Sequence, residues 1–306
     1  MAIVDTTKPI TAESCNQMIL QLVEAYPFCR TEVLTDSFFG RPVRTLVIGN
    51  GQRKVIYTAA HHANEWITSL VLLKFAEDLA EAIATGGEIF GRPGRQIAEM
   101  TTIYMVPMVD PDGVDLVVGA IAPDSREYAL AESLSRNYPA IPFPDGWKAD
   151  LLGVDLNLQY PAGWLQAREI KFSQGYTQPG PRDFVGLAPL RQREPRALAE
   201  FTQELDPALV LAYHSQGKEI YWQFEDSQVP GAKELGEEFA RVSGYTLADV
   251  PYNSSFAGYK DWFIKWFGKP GYTVEVGEGE NPLPIEQFDE IYRDNVGILV
   301  TAATFY

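Results

Sequence analysis

A chain of 306 residues, 46% of them hydrophobic, is long enough to bury one large core or two small ones, and no tether-like stretch divides it. A formal charge of −16 argues against nucleic acid, because a phosphate-binding surface needs clustered Lys and Arg. No run of about 18 apolar residues is available to span a bilayer, and residues 1–9 lack a basic region followed by an apolar one. The expectation is therefore a soluble cytoplasmic protein without a membrane or nucleic-acid partner, and no protein partner is evident.

Thr11 caps a first helix that runs to about Ala25, with Cys15, Met18, Ile19, Leu22 and Val23 on its apolar face. Cys15 and Cys29 are too few for a disulfide framework and are read as ordinary thiols. Residues 31–39 and 43–48 read as a hairpin, and Asn50-Gly51 turns the chain into a strand over 55–60. A helical pattern follows over 66–84, then a strand over 102–109 and the tight sequence Asp110-Pro111-Asp112-Gly113. Residues 137–147, 147–158 and 174–189 have loop composition.

Pro195 opens a helix at a favoured first-turn position, and that helix leads to a buried strand over 208–213. Residues 230–242 are helical, 245–260 are polar and aromatic, 271–276 form a strand, and 285–304 form a last helix. Strands alternating with helices predict one α/β domain over residues 1–306, with residues 1–40 supplying an N-terminal helix and the first strand.

The apolar strand over 55–60 stops on His61, His62 and Glu65. A spacing of three at a helix start puts His62 and Glu65 on one side of the backbone, within reach of one ion. The chain has only three histidines, and the third, His214, closes the second buried strand. Ligands bind beyond the carboxyl ends of strands in open α/β sheets, so His62, Glu65 and His214 would converge there. Two histidines, a glutamate and an open position suit catalytic zinc. His61, next to His62, is expected to point away, either beside the site or into solvent.

Glu275 lies inside the apolar run 271–276, where a carboxylate is costly unless a cation or water compensates it. Beside a metal-bound water it would take a proton.

Five ordered segments carry a resemblance: His62-Ala63-Asn64-Glu65-Trp66-Ile67-Thr68, Asp110-Pro111-Asp112-Gly113, Gly153-Val154-Asp155-Leu156-Asn157, Tyr213-His214-Ser215 and the Glu275 strand. From about Arg41 to the C-terminus the chain resembles the zinc carboxypeptidase family typified by carboxypeptidase A. The resemblance implies a single α/β domain whose mixed sheet of about eight strands is flanked by helices. It also implies one Zn2+ per chain on His62, Glu65 and His214, with Glu275 as general base and proton shuttle. Asp155 falls where the family keeps a carboxylate that orients the first zinc histidine.

The departures are informative. The family has Asn-Arg where this chain has Asn157-Leu158, and leucine cannot fork onto a terminal carboxylate. Asn157 remains as a substrate-binding candidate. Lys148 follows Trp147 where the family places a second arginine, which suits it to an oxyanion. Lys260 aligns with the pocket for the residue after the cleaved bond and would select a carboxylate. The family's mobile tyrosine matches Tyr252 or Tyr259.

Within the family, the segments 213–217, 260–264 and 274–284 look most like bacterial γ-D-glutamyl-meso-diaminopimelate peptidases, which cut peptidoglycan stem peptides. That resemblance implies zinc-dependent hydrolysis of a stem peptide or muropeptide. No LysM wall-binding repeat is present, so cytoplasmic recycling and a role at the spore or cell wall both stay open. The alternatives are a metallocarboxypeptidase that removes C-terminal, acidic residues and an inactive binder of wall fragments.

Overall fold

Apolar runs without alternation predict strands covered on both faces, and a computed structural model, which describes residues 2–305, shows that arrangement. In chain order the strands are β1 (Arg30–Asp36), β2 (Pro42–Ile48), β3 (Arg53–Thr58), β4 (Glu88–Ile89), β5 (Arg92–Pro93), β6 (Thr101–Val106), β7 (Leu209–His214), β8 (Glu219–Tyr221), β9 (Thr246–Ala248) and β10 (Gly271–Glu275). The helices are α1 (Ala12–Ala25), α2 (Ile67–Thr85), α3 (Gly94–Met100), α4 (Pro111–Val117), α5 (Arg126–Ser135), α6 (Trp164–Ser173), α7 (Arg193–Leu205), α8 (Ala232–Ser243), α9 (Tyr259–Phe267) and α10 (Phe288–Thr304).

Eight strands form one mixed sheet in the order β1-β2-β6-β3-β7-β10-β8-β9, and β4 and β5 form a separate hairpin. The centre, β6-β3-β7-β10, is parallel, whereas β1-β2-β6 and β10-β8 are antiparallel. Period-two alternation divides each central strand between two cores. Val55 and Tyr57 of β3, with Leu209, Leu211 and Tyr213 of β7, pack on the face that α1, α2, α8 and α10 cover. Ile56, Val210 and Ala212 pack on the opposite face with residues of α6, α7 and α9.

Elements depart from the sequence reading at several points: the strand expected over 31–39 ends at Asp36, and α3, α5 and α6 are helices that it does not contain. The strand expected over 102–109 ends at Val106, and Asp110-Pro111-Asp112-Gly113 is a helix start rather than a bare turn. Asp110 is the N-cap: its Oδ1 accepts from Gly113 N at 2.9 Å, and Pro111 takes the first helical position. A Cβ on Gly113 would lie 2.3 Å from Asp110 Oδ2 and 2.5 Å from the Ala149 carbonyl, so only glycine fits between α4 and the segment that bears Lys148. The last helix begins at Phe288, after a 3-10 turn over Ile285–Gln287.

Arg41, just before β2, pins α4 and α5 with one guanidinium. Its Nη1, Nε and Nη2 meet Asp112 Oδ1, Asp115 Oδ2 and Glu127 Oε2 at 2.8, 2.7 and 2.7 Å.

Residues 147–158, loop-like in composition, are ordered by Asp150. Its Oδ1 accepts from Val154 N at 2.8 Å and Leu152 N at 3.1 Å, Gln192 donates to Oδ2, and its carbonyl accepts from Trp147 Nε1 at 3.2 Å. The Pro181 carbonyl accepts from Lys148 N and Ala149 N at 2.7 and 3.0 Å, which joins this loop to the one after α6.

Burial pushes the Asp150 carboxyl up to about 7, and burial together with Asp150 pushes Glu194 up to about 8. Asp150 then stays protonated in the fold at pH values where the unfolded chain has released that proton. Its contribution is full below about pH 4 and is lost as pH rises toward 7. Asp150→Asn keeps the Oδ1 acceptor and removes the titration. Urea unfolding from pH 5 to 8 should show wild-type stability falling relative to the variant by roughly 2 to 3 kcal/mol. Parallel curves would mean that Asp150 titrates normally.

Candidate active site

The three parallel strands β3, β7 and β10 end side by side, and their ends carry the reactive groups. β3 stops at Thr58, and His62 follows as the residue before the 3-10 turn Ala63–Glu65 that leads into α2. His214 and Glu275 are the last residues of β7 and β10 and pair directly in register. Each strand contributes its group where the ladder stops, beyond the carboxyl edge of the sheet.

His62 Nδ1 and His214 Nδ1 face each other at 3.2 Å. Glu65 Oε1 lies 3.0 Å from His62 Nδ1, and Glu65 Oε2 lies 2.9 Å from His214 Nδ1. The candidate ligand atoms of these three residues all fall within 4.8 Å of one another, and all three residues are buried.

The donor set fits zinc. Asp155 Oδ1 accepts from His62 Nε2 at 3.1 Å, so Nδ1 of that ring keeps its lone pair and directs it at His214 and Glu65. Two ring nitrogens and a carboxylate packed this tightly in a buried space suit a cation between them. Burial alone would raise the Asp155 carboxyl, but His62, Lys148 and Lys171 hold it well below the usual carboxylate range.

Lys148 Nζ stands 3.0 Å from Glu65 Oε1, on the same side of the cluster. Glu275 lines the cleft with it. Burial, reinforced by Glu65 and opposed by Lys148 and His62, pushes the Glu275 carboxyl up to about 8.

His61 is neither exposed nor turned away. Its ring is fully buried, stacks on His214 and Tyr259 at 5.7 Å between centroids, and directs Nε2 at the Tyr160 hydroxyl at 3.1 Å. It forms the wall behind His214. Asn157 sits beside the same ring, with Nδ2 3.4 Å from His214 Nε2 and Oδ1 accepting from Tyr259 N at 3.1 Å.

Three expected substrate contacts are placed differently by the structure. Lys260 does line the cleft, but its ammonium is already paired, 2.5 Å from Asp261 Oδ1 and 2.7 Å from the Gln223 carbonyl. Tyr259 is buried at the start of α9, its hydroxyl 2.8 Å from Thr202 Oγ1, and it cannot meet a substrate without breaking the core. Tyr252 is 67% exposed, edge-on to Phe256, and does not line the metal cleft. The phenol that does line it belongs to Tyr221 of β8, whose hydroxyl donates to Glu219.

The cleft has two compartments. A narrow one of about 180 Å³ holds the histidines, Asn157, Leu158, Lys260 and Asp261, and a wider one of about 830 Å³ extends past Ser215, Gln216 and Asn281. Ser215 Oγ donates to Asn281 Oδ1, and Asn281 Nδ2 donates back to the Ser215 carbonyl, both at 2.8 Å. Arg182 borders both compartments. It comes from a stretch that reads only as loop, and nothing in the local pattern marks it.

The family profile described as zinc carboxypeptidase matches residues 15–297. The chain belongs to the zinc carboxypeptidase family. It is 42% identical over 282 residues to the Gamma-D-glutamyl-L-diamino acid endopeptidase 1 of Lysinibacillus sphaericus, covering 92% of this chain and 69% of that protein. It is also 38% identical over 291 residues to the uncharacterized protein YqgT of Bacillus subtilis (strain 168), covering 94% and 75% respectively. Among solved structures, bovine thrombin-activatable fibrinolysis inhibitor superposes with a TM-score of 0.74 at 15% identity over 98% of this chain and 97% of that one, which shows the shared fold. As a member of this family the chain is a zinc metallopeptidase, and the His62, Glu65 and His214 donor set fits the ion that the family uses.

Metal removal tests the donor set. His214→Ala should lose metal by elemental analysis, and the wild type should gain thermal stability on adding zinc after chelation while the variant does not. Equal zinc content in both proteins would rule His214 out as a ligand.

Proposed function

We propose that the chain hydrolyses the amide between the side-chain carboxyl of D-glutamate and a diamino acid in peptidoglycan stem peptides, with one zinc ion per chain held by His62, Glu65 and His214. The observation that carries the chemistry is the half-buried Glu275 at the end of β10, in register with His214 and lining the cleft with the cluster. The relative that is 42% identical and named for cleaving a γ-D-glutamyl-L-diamino acid link supports the substrate class.

Zinc bound there would polarise the scissile carbonyl and lower the pKa of water. Glu275 takes the proton from the attacking water and passes it to the leaving amine nitrogen. Burial and Glu65 raise its carboxyl, which helps it hold the proton once taken, and a bound dication would draw it down again so that it starts ionised. Lys148 places its ammonium where charge grows on the carbonyl oxygen. Asp155 keeps His62 in one tautomer and one orientation.

Two features of the narrow compartment suit the substrate. Leu158 lines it where a fork arginine would grip a free C-terminus, so the peptide can continue past the cut. At the same end, Lys260 and Asp261 form a buried ion pair that complements the ammonium and carboxylate at the tip of a diaminopimelate side chain.

Mass spectrometry of L-Ala-γ-D-Glu-meso-diaminopimelate, with and without a C-terminal D-alanine, should show L-Ala-D-Glu released from both by the zinc-loaded protein. Glu275→Gln should retain zinc and lose about 10²- to 10⁴-fold in kcat. Intact stem peptides alongside trimming of ordinary peptides, blocked by C-terminal amidation, would make it a carboxypeptidase instead. Near wild-type turnover by the glutamine variant would remove Glu275 from the mechanism.

A further inference from the structure

Arg182 stands at the seam between the two compartments, in company with Lys148, Tyr221, Ser254 and Glu275, which line both. It is held at its base and free at its tip. Its Nε donates to Asp183 Oδ2 at 2.6 Å, and Lys171 Nζ holds Asp183 Oδ1 at the same distance, so the guanidinium plane is set from behind. Among the described residues neither Nη1 nor Nη2 has a hydrogen-bond partner, and the side chain is 42% exposed into the cleft.

The remaining cations of the cleft are already engaged. Lys148 meets Glu65, Lys171 meets Asp183, and Lys260 meets Asp261. Lys148 and Arg182 are the two basic side chains that line the wider compartment. Arg182 is the one whose donors remain unspent, and two adjacent guanidinium N–H groups match the two oxygens of a carboxylate.

A glutamate joined through its side chain keeps a free α-carboxylate. That group is separated from the scissile carbonyl carbon by two methylenes and the α-carbon, roughly 5 Å when extended. A residue other than glutamate joined through its α-carbonyl has no carboxylate at that separation, and α-linked glutamate offers its side-chain carboxylate there instead. If the narrow compartment takes the diamino acid, the glutamyl residue lies in the wider one, with Arg182 beside the bond to be cut.

From this geometry, which rests on the reading under Proposed function, we infer that Arg182 is a specificity-determining residue. It binds the α-carboxylate of the γ-linked glutamyl residue that donates the scissile carbonyl and so selects free acids over α-amides, and glutamyl residues over those with no carboxylate at that reach. Lys148, drawn to Glu65 and the reacting oxygen, does not duplicate this role.

The test compares two stem peptides, identical except that the glutamyl α-carboxyl is free in one and a primary amide in the other, as substrates of the zinc-loaded wild type, Arg182→Gln and Arg182→Lys. The wild type should prefer the free acid in kcat/KM by at least about tenfold, mostly through KM. Arg182→Gln should bring that ratio close to one, and Arg182→Lys should restore part of it. Zinc content and melting temperature, measured on each protein, report folding separately.

A wild type indifferent to amidation, or a ratio unchanged in Arg182→Gln, would overturn the assignment while leaving the peptidase reading intact. An equal loss on both compounds, confined to kcat, would also overturn it and place Arg182 on the scissile carbonyl. Failure of the wild type to cut either peptide would bring down the parent reading and this one together.

Discussion

The side-by-side termination of β3, β7 and β10 is the constraint on which the site depends. In-register parallel pairing, Thr58 with Ala212 and His214 with Glu275, brings chain segments more than 200 residues apart to one edge of the sheet. The apolar layers on both faces bury the strands up to that edge, and the burial of His62, Glu65 and His214 strengthens the charge interactions among them. Loss of solvent and the neighbouring Glu65 raise the half-buried carboxyl of Glu275, whereas the cationic neighbours of buried Asp155 overcome the same burial and hold its carboxyl low.

Much of this was legible from residue order. Unalternating apolar runs marked strands covered on both faces, three histidines limited the choice of ligands, and a carboxylate inside β10 required a compensating charge. What escaped the reading came from side chains whose partners lie far away, or very near, in sequence. Lys260 reads as a free cation because nothing in the pattern says that it folds back onto Asp261, its own neighbour. Tyr259 and Tyr252 look alike in sequence, yet one is core and the other solvent-exposed. Tyr221 and Arg182 sit on a short strand and an irregular loop, where periodicity carries no information, and only the tertiary arrangement brings them to the cleft.

Asp110-Pro111-Asp112-Gly113 illustrates a subtler loss. Its composition fits a turn and a helix start equally well, and the choice depends on packing that no local window contains. Arg41 must reach Asp112, and the Ala149 carbonyl must approach Gly113 closely. The structure resolves the segment as a helix that braces the loop bearing Lys148. A fold held in common with fibrinolysis inhibitor at 15% identity tolerates wide change, and chemistry and selectivity then depend on which side chains the loops supply.

The reciprocal hydrogen bonds between Ser215 and Asn281 join the loop after His214 to the loop after Glu275. With the strands paired behind and this clasp in front, His214 and Glu275 belong to one frame. Neither clasp residue comes from the segments that wall the cleft's mouth, 137–147 and 249–255. The second can change without altering the spacing of the reacting groups, whereas the first is tied to the site where Asn64 donates to the Asp145 carbonyl and Trp147 to the Asp150 carbonyl. Appetite for substrate and capacity for chemistry become separately adjustable, and the lineage can explore new peptides without rebuilding its catalytic centre.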